Sequence, residues 1–180
     1  DDGFRVAGGP RGIDANRAAL AFRAAVDRSG VDYIFETATT LTSVYLRFDP
    51  LALSHDALQD RLQDLLAEQD WMEADLPEGR RLWTVPTVFG TELAPQLAEA
   101  ASEAGMSEAE AIEDLTSSRV RVLTIGFAPG QPYMGPLKSA WDIPRLKAVT
   151  PRVPEGALVL AIRQVIVFTA ETPTGWRHVG

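Results

Sequence analysis

The chain of 180 residues has no cysteine, which excludes disulfides, thiolate nucleophiles and cysteine-ligated metals. Histidine is almost as scarce. His55 and His178 are the only two, far apart and without ligand spacing around either, so no metal site is expected. His55 reads instead as a residue in a helix's first turn. No apolar run approaches the roughly 20 residues that span a bilayer, so no membrane partner is expected. A Gly-x-Ser-x-Gly nucleophile elbow is missing, which argues against a serine triad of that type. A Gly-x-x-x-x-Gly-Lys-Ser/Thr loop is missing too, so this chain by itself is not expected to bind ATP through a P-loop. The first residues, "DDGFRV", are acidic and unlike a signal peptide, and together with the lack of cysteine they fit the cytoplasm. The net charge of −8 argues against general nucleic-acid binding.

The charge is unevenly spread. Residues 1–54 hold seven acids and six bases, 55–115 hold fifteen acids and three bases, and 116–180 hold three acids and eight bases. The acidic middle fits solvated helix faces. The basic C-terminal third fits a surface that meets an anion or an acidic partner.

Hydrophobic residues make up 46% of the chain, enough for a real core in one domain or two small ones. "FRVAGG" looks like a short strand ended by glycines. Asp14 is placed to cap a helix running to about Ser29, with Leu20, Phe22, Ala24, Ala25 and Val26 on its apolar side. "VDYIFET" and "SVYLRFD" are strand-like, and in the second Val44, Leu46 and Phe48 alternate with Tyr45 and Arg47. Ser54 caps a helix to about Gln69 with a stripe of Leu58, Leu62, Leu65 and Leu66. "LWTVPTVFG" reads as one more strand. Two short helices follow between Thr91 and Thr116, separated by Gly105, the second opened by a Ser107/Glu110 capping box. From Arg119 the texture turns to strands: "RVRVLTIGF", then "GALVLAIRQVIVF" as two strands broken near Arg163–Gln164. Prolines at 129, 132, 144, 151, 154 and 173 punctuate turns and exclude long helices. The fold class expected is α+β: an α/β domain over 1–90, a helical connector over 91–118, and a β domain over 119–180.

The densest turn chemistry is "GFAPGQPYMG", Gly126–Gly135, where glycines and prolines sit among apolar side chains. It is either a buried corner or the wall of a pocket. Arg145 and Arg152 each follow a proline, in "IPRL" and "TPRV". A guanidinium so placed can grip a carboxylate or phosphate, or simply pair with surface acids such as Asp142 and Glu155.

"GFAPGQPYMG", "IPRLKAVTPRVPEGALV", "AIRQVIVF" and "TPTGW" stand in the order and at the spacing of the 5-oxoprolinase B-subunit family, also called the Kip inhibitor or allophanate hydrolase subunit 1 family. Its members resemble carboxyltransferase subdomains C and D of urea carboxylase. The likeness covers almost the whole chain. It implies that the β domain is a cyclophilin-like barrel, with its closing strands missing after Gly180 or their place covered by a partner. It implies work with the larger C-type and the A-type components of 5-oxoprolinase in an ATP-dependent opening of the 5-oxoproline ring, with this chain inactive alone and ATP held by the complex. One branch of the family instead inhibits a histidine kinase, and another reading is a urea-carboxylase-type carboxyltransferase accessory. The matched motifs imply substrate contacts at Phe127, Gln131, Tyr133, Arg145, Arg152 and Gln164. Gly126, Pro129, Gly130, Pro154, Gly156 and Trp176 are implied to shape the site. No catalytic residue is assigned. The sequence departs from the family pattern where Leu115 replaces a histidine, Gln131 an apolar aromatic, Ala157 a serine and Thr174 a glycine. Ile162 and Ile166 stand where small residues are common and are expected to narrow the site.

Overall fold

The computed structural model describes residues 12–180, so the "FRVAGG" strand expected near the N-terminus lies outside the described residues. The chain divides into two compact units between Leu82 and Trp83. Among the described residues no helix is long and apolar enough to cross a membrane.

The first unit holds helix α1 (Gly12–Ser29), strands β1 (Ile34–Thr39) and β2 (Val44–Phe48), and helix α2 (His55–Ala67). Asp14 lies inside the first turn of α1 rather than at its cap, where an acid still favours the positive helix end. Its small alanines let α1 approach the strands closely, and Phe22 and Trp71 meet edge to face at 5.0 Å. β1 and β2 form a two-stranded antiparallel hairpin with Val44 and Leu46 inward and Tyr45 and Arg47 outward, as their alternation predicts. Ser54 caps α2 by accepting a hydrogen bond from the Ala57 N–H at 3.2 Å. Leu58 and Leu62 are buried beneath that helix, each worth roughly 1.5–3 kcal/mol.

"LWTVPTVFG" forms no strand. Residues 81–89 run without regular secondary structure, and Leu82, Trp83, Val85 and Val88 are exposed. β-propensity measures fit to a pleated, half-buried surface, and Pro86 removes a ladder donor in the middle of this run.

In the second unit α3 (Leu97–Glu103) and α4 (Glu108–Ser117) precede strands β3 (Arg121–Ile125), β4 (Pro132–Gly135), β5 (Thr150–Val153), β6 (Leu158–Ala161), β7 (Gln164–Val167), β8 (Thr172–Thr174) and β9 (Arg177–His178). The capping box at Ser107 and Glu110 is fully formed, and Gly105 at φ +73° ends the helix before it. The two helices expected as a connector pack into this unit's own core.

The strands give an open five-stranded antiparallel sheet in the order β3-β4-β7-β6-β9 and a separate β5–β8 ribbon. No closed sheet occurs among the described residues, so the expected barrel closure is not present in them. Pro151 and Pro173 fall in the ribbon, whose strands each have a free edge that tolerates a missing donor. β6 and β7 join through Ile162 and Arg163, both at positive φ (44° and 60°), the geometry of a tight hairpin turn. A β-branched residue there is strained. The Ile162 and Arg163 N–H groups donate to Ile143 and Trp141 carbonyls at 2.8 and 2.9 Å, which holds the turn in place. Ile162 therefore sits on the turn, while Ile166 is buried.

Alternation along β4, β7 and β6 separates two cores. Met134, Val165 and Leu160 face α3, α4 and Trp141. Tyr133, Ile166 and Val159 face Val153, Ala157, Phe168 and Trp176.

Candidate functional site

The second of these faces gathers most of the residues singled out in the sequence. Its first wall is the loop before β4. The Gln131 N–H donates to the Ala128 carbonyl and the Gly126 N–H donates to the Gln131 carbonyl, both at 3.1 Å. Pro129 and Gly130 occupy the centre of that turn, and Gly130 takes the positive φ of 72° that the turn needs. The Thr169 hydroxyl donates to the Pro129 carbonyl at 2.9 Å and ties the loop to the segment just past β7. Phe127 stands at φ +69° and is 78% exposed, so its ring is left largely uncovered by the described residues.

Gln131 ends the loop with its side chain 1% exposed. Among the described residues its Oε1 has no hydrogen-bond donor. Gln131 and Tyr133 are two residues apart along the extended run into β4 and so share a face. The Tyr133 ring meets Trp176 edge to face at 6.0 Å, and the Arg145 guanidinium lies 5.2 Å from the Trp176 ring centre. The Leu146 N–H donates to the Gly175 carbonyl at 2.7 Å, which holds the Arg145 segment beside Trp176. Among the described residues no carboxylate lies within salt-bridge distance of Arg145. Gln164 begins β7 two residues before Ile166 and shares its face, and its Cγ stands 3.3 Å from where a Cβ on Gly135 would be. That Cβ would also stand 2.9 Å from the Arg163 carbonyl oxygen, so only glycine fits at 135.

Arg152 stands apart. It follows the outward side of β5 while Val153 points inward, and its guanidinium makes a two-pronged bond to Glu171 at 3.0 and 3.1 Å. Neither arginine pairs with Asp142 or Glu155. Pro154 and Gly156 form the turn into β6, with Gly156 at φ +82° donating to the Phe168 carbonyl at 2.8 Å. Leu115, where the family pattern has a histidine, packs with the helical core on the other side of the sheet.

His178 escaped the sequence reasoning because nothing local marks it. It pairs in register with Val159 and so lies in the same row as Ile166 and Tyr133. The ring is buried, with Nε2 3.1 Å from the Gly180 carbonyl oxygen. Burial pushes its pKa below the ordinary histidine value, and the bond to Gly180 opposes this only partly. A depressed value means the folded chain binds fewer protons than the unfolded one. Stability is then complete above about pH 6.5 and is lost as pH falls from there through the folded value. Urea denaturation at pH 7 and pH 5.5 should show wild type losing more stability than His178→Gln. An identical loss in both would assign the effect elsewhere.

Residues 6–180 match the family described as carboxyltransferase domain, subdomain C and D. The chain is 35% identical over 138 residues to the B subunit of 5-oxoprolinase from Escherichia coli O157:H7, covering 77% of this chain and 61% of that one. It is 30% identical over 125 residues to the B subunit of 5-oxoprolinase from Bacillus subtilis (strain 168), covering 69% of this chain and 51% of that one. The chain thus spans about half to three-fifths of the length of these curated relatives. Its structure is similar to the crystal structure of TTHA0988, with a TM-score of 0.76 and 29% identity over 98% of this chain and 33% of that one.

Proposed function

Because the chain belongs to the carboxyltransferase-domain family, subdomains C and D, we propose that it is one subunit of an ATP-dependent, ring-opening amide hydrolase of the 5-oxoprolinase type. It acts with a larger C-type component and an A-type component of such an enzyme, and ATP is bound by the assembly rather than by a phosphate loop here. Its open sheet and ribbon belong to a cyclophilin-like barrel. The relatives named as B subunits of 5-oxoprolinase support this reading.

The observation that carries it is the row Tyr133–Trp176–Arg145, an aromatic floor ending in a guanidinium free of any carboxylate partner among the described residues. In this reading the ligand is a small ring carrying a carboxylate. The ring lies on the aromatic edge, and Arg145 takes the carboxylate in a charge-assisted bond. Tyr133 and Gln164 supply polar atoms beside it. Arg152 plays a lesser part, since Glu171 already neutralises it.

The test is calorimetric titration of 5-oxoproline into the chain co-purified with a C-type 5-oxoprolinase component. Arg145→Ala should weaken binding about 10- to 150-fold, the range of one charge-assisted hydrogen bond. Arg152→Ala, the loss of an exposed pair, should change it by less than about 5-fold. Wild-type affinity for 5-oxoproline untouched by Arg145→Ala, with the melting temperature unchanged, would defeat the assignment of the cation.

A further inference from the structure

Among the described residues β1 pairs on one side only, with β2 in a two-stranded sheet. Antiparallel ladders alternate between pairs that exchange main-chain bonds and pairs that do not. The hairpin turn sets the phase, because the Thr40 N–H donates to the Ser43 carbonyl at 2.9 Å. Counting back from it, Ala38–Tyr45 and Glu36–Arg47 exchange bonds and Thr37–Leu46 does not. The Thr37 N–H and C=O therefore turn away from β2, and among the described residues no partner meets either. They open into a groove of about 340 Å³ between that edge and the C-terminal half of α1, in whose walls no β2 residue takes part. Val26, Val31 and Ile34 form its apolar floor. Its charges are already matched, Arg23 with Asp27 at 3.5 Å and Glu36 with Arg47 at 3.0 Å. The Thr37 hydroxyl accepts from Arg23 at 2.9 Å and donates to Asp27 at 2.6 Å, which holds α1 beside the edge. The irregular register between Ile34 and Glu36 re-aims Phe35, whose ring lines the groove and is 61% exposed.

We propose that this groove is a strand-addition site: an extended segment of the C-type component lies between α1 and β1 and pairs with Thr37 as a third strand. The chemistry of the occupant follows from the walls. An N–H and a C=O on one outward residue are met in full by the backbone of another extended chain, which offers one of each. A floor that is apolar takes apolar side chains on one face of that chain, and Phe35 gives it a ring to pack against. A free anion finds no unpaired cation in the lining, since Arg23 already holds Asp27. An uncovered strand edge is a hazard for aggregation, so a chain that works inside an assembly gains by having the edge covered there. The proposal rests on the subunit reading above and adds to it a contact in the first unit, whereas the Tyr133–Trp176–Arg145 row belongs to the second.

The experiment is hydrogen exchange, resolved to single amides, on the chain alone and on the chain co-purified with a C-type 5-oxoprolinase component. The Thr37 amide should exchange at least about 10-fold more slowly in the assembly. Thr37→Pro deletes the outward N–H and leaves the β1–β2 ladder bonds in place, so it should weaken assembly about 3- to 10-fold, the loss of one hydrogen bond. Thr37→Val keeps the N–H and loses only the hydroxyl, and should assemble within about 2-fold of wild type. Phe35→Ser changes an exposed side chain and should weaken assembly at least about 3-fold. An assembly that forms with the Thr37 amide unprotected overturns the proposal, as do Thr37→Pro and Phe35→Ser chains that assemble like wild type. A Thr37→Val chain that loses as much as Thr37→Pro assigns the effect to the hydroxyl and overturns it too. So does a free chain that sediments as a dimer and turns monomeric on Thr37→Pro, since the edge then pairs with a second copy. In each of those cases titration of 5-oxoproline with Arg145→Ala still reports on the reading above. A chain that forms no assembly with the component removes that reading, and this proposal with it.

Discussion

Replacing Arg177 by alanine is expected to lower the stability of the second unit by about 3 kcal/mol, the low end of the cost of breaking a buried ion pair. Arg177 lies on β9 at 3% exposure. Its Nε donates to Glu99 at 3.0 Å, one Nη donates to Glu103 at 2.6 Å, and the other donates to the Pro144 carbonyl. One planar side chain thus joins α3, the sheet edge and the segment before the site. Removing it leaves the Glu99 and Glu103 carboxylates facing each other one turn apart and strands the Pro144 carbonyl. The two glutamates are 45% and 39% exposed, so water solvates them once the cation has gone, which keeps the loss near the low end. Arg177→Lys keeps the charge but cannot supply the fork, and should recover less than half of the loss. Because Pro144 precedes Arg145, both variants should also loosen the cation over Trp176 and weaken the 5-oxoproline binding proposed above. Urea denaturation of the full chain checks the first point, and a loss under about 1 kcal/mol would show that the triad is dispensable.

Nothing in the sequence could have announced that triad. Arg177 sits 74 and 78 positions from its two carboxylates, and periodicity says nothing over such distances. What was legible was local. The Ser107–Glu110 box, the Ser54 cap, the inward Val44 and Leu46, and the break at Ile162–Arg163 all follow from contacts within a few residues. "LWTVPTVFG" failed for the complementary reason, since a strand needs a neighbouring edge and composition does not say whether one is present. The helices at 97–117 were legible as helices but not as part of the second core, because Ala100, Ala101 and Ala111 are too small to advertise a buried face.

The site divides in the same way. The loop chemistry of Gly126–Gln131 was readable, because proline and glycine at fixed turn positions leave little choice. Both Pro-Arg steps were legible as candidate anion grips, and the structure separates their surroundings. Glu171, just before β8, neutralises Arg152, while Arg145 meets an aromatic ring. That difference depends on strand register, which pairs Val153 with Thr172 and leaves Arg152 and Glu171 as diagonal neighbours across the ribbon. The lack of a donor for Gln131 Oε1 among the described residues is likewise a tertiary fact.

Trp141→Ala should carry the largest stability cost in the chain, about 3–5 kcal/mol, the range for deleting a buried aromatic side chain. Trp141 is 0% exposed and packs in the core between the sheet and α3–α4. Its indole Nε1 donates to Asp114 Oδ1 at 2.9 Å, and its carbonyl accepts from the Arg163 N–H at 2.9 Å, so it supports the strained β6–β7 turn as well. Asp114→Asn separates packing from charge. The asparagine oxygen can still receive the indole N–H, and only the pair with the exposed Lys138 is lost, at a cost of about 0–1 kcal/mol. The pH dependence should separate them further. Hydrogen bonds from Lys138 first and Trp141 second hold the Asp114 carboxyl below its ordinary range, against a smaller opposing effect of burial. A depressed carboxyl pKa contributes stability that is present above the unfolded value of about 3.9 and is lost as pH falls through the folded value. The wild-type chain should therefore lose its advantage over Asp114→Asn as pH falls from about 4 through the folded value, while its advantage over Trp141→Ala persists there because cavity energy does not titrate. Thermal or urea unfolding of the three chains across that interval decides the matter, and a Trp141→Ala gap that closes in parallel with the Asp114→Asn gap would show that the indole acts through the carboxylate and not through the volume it fills.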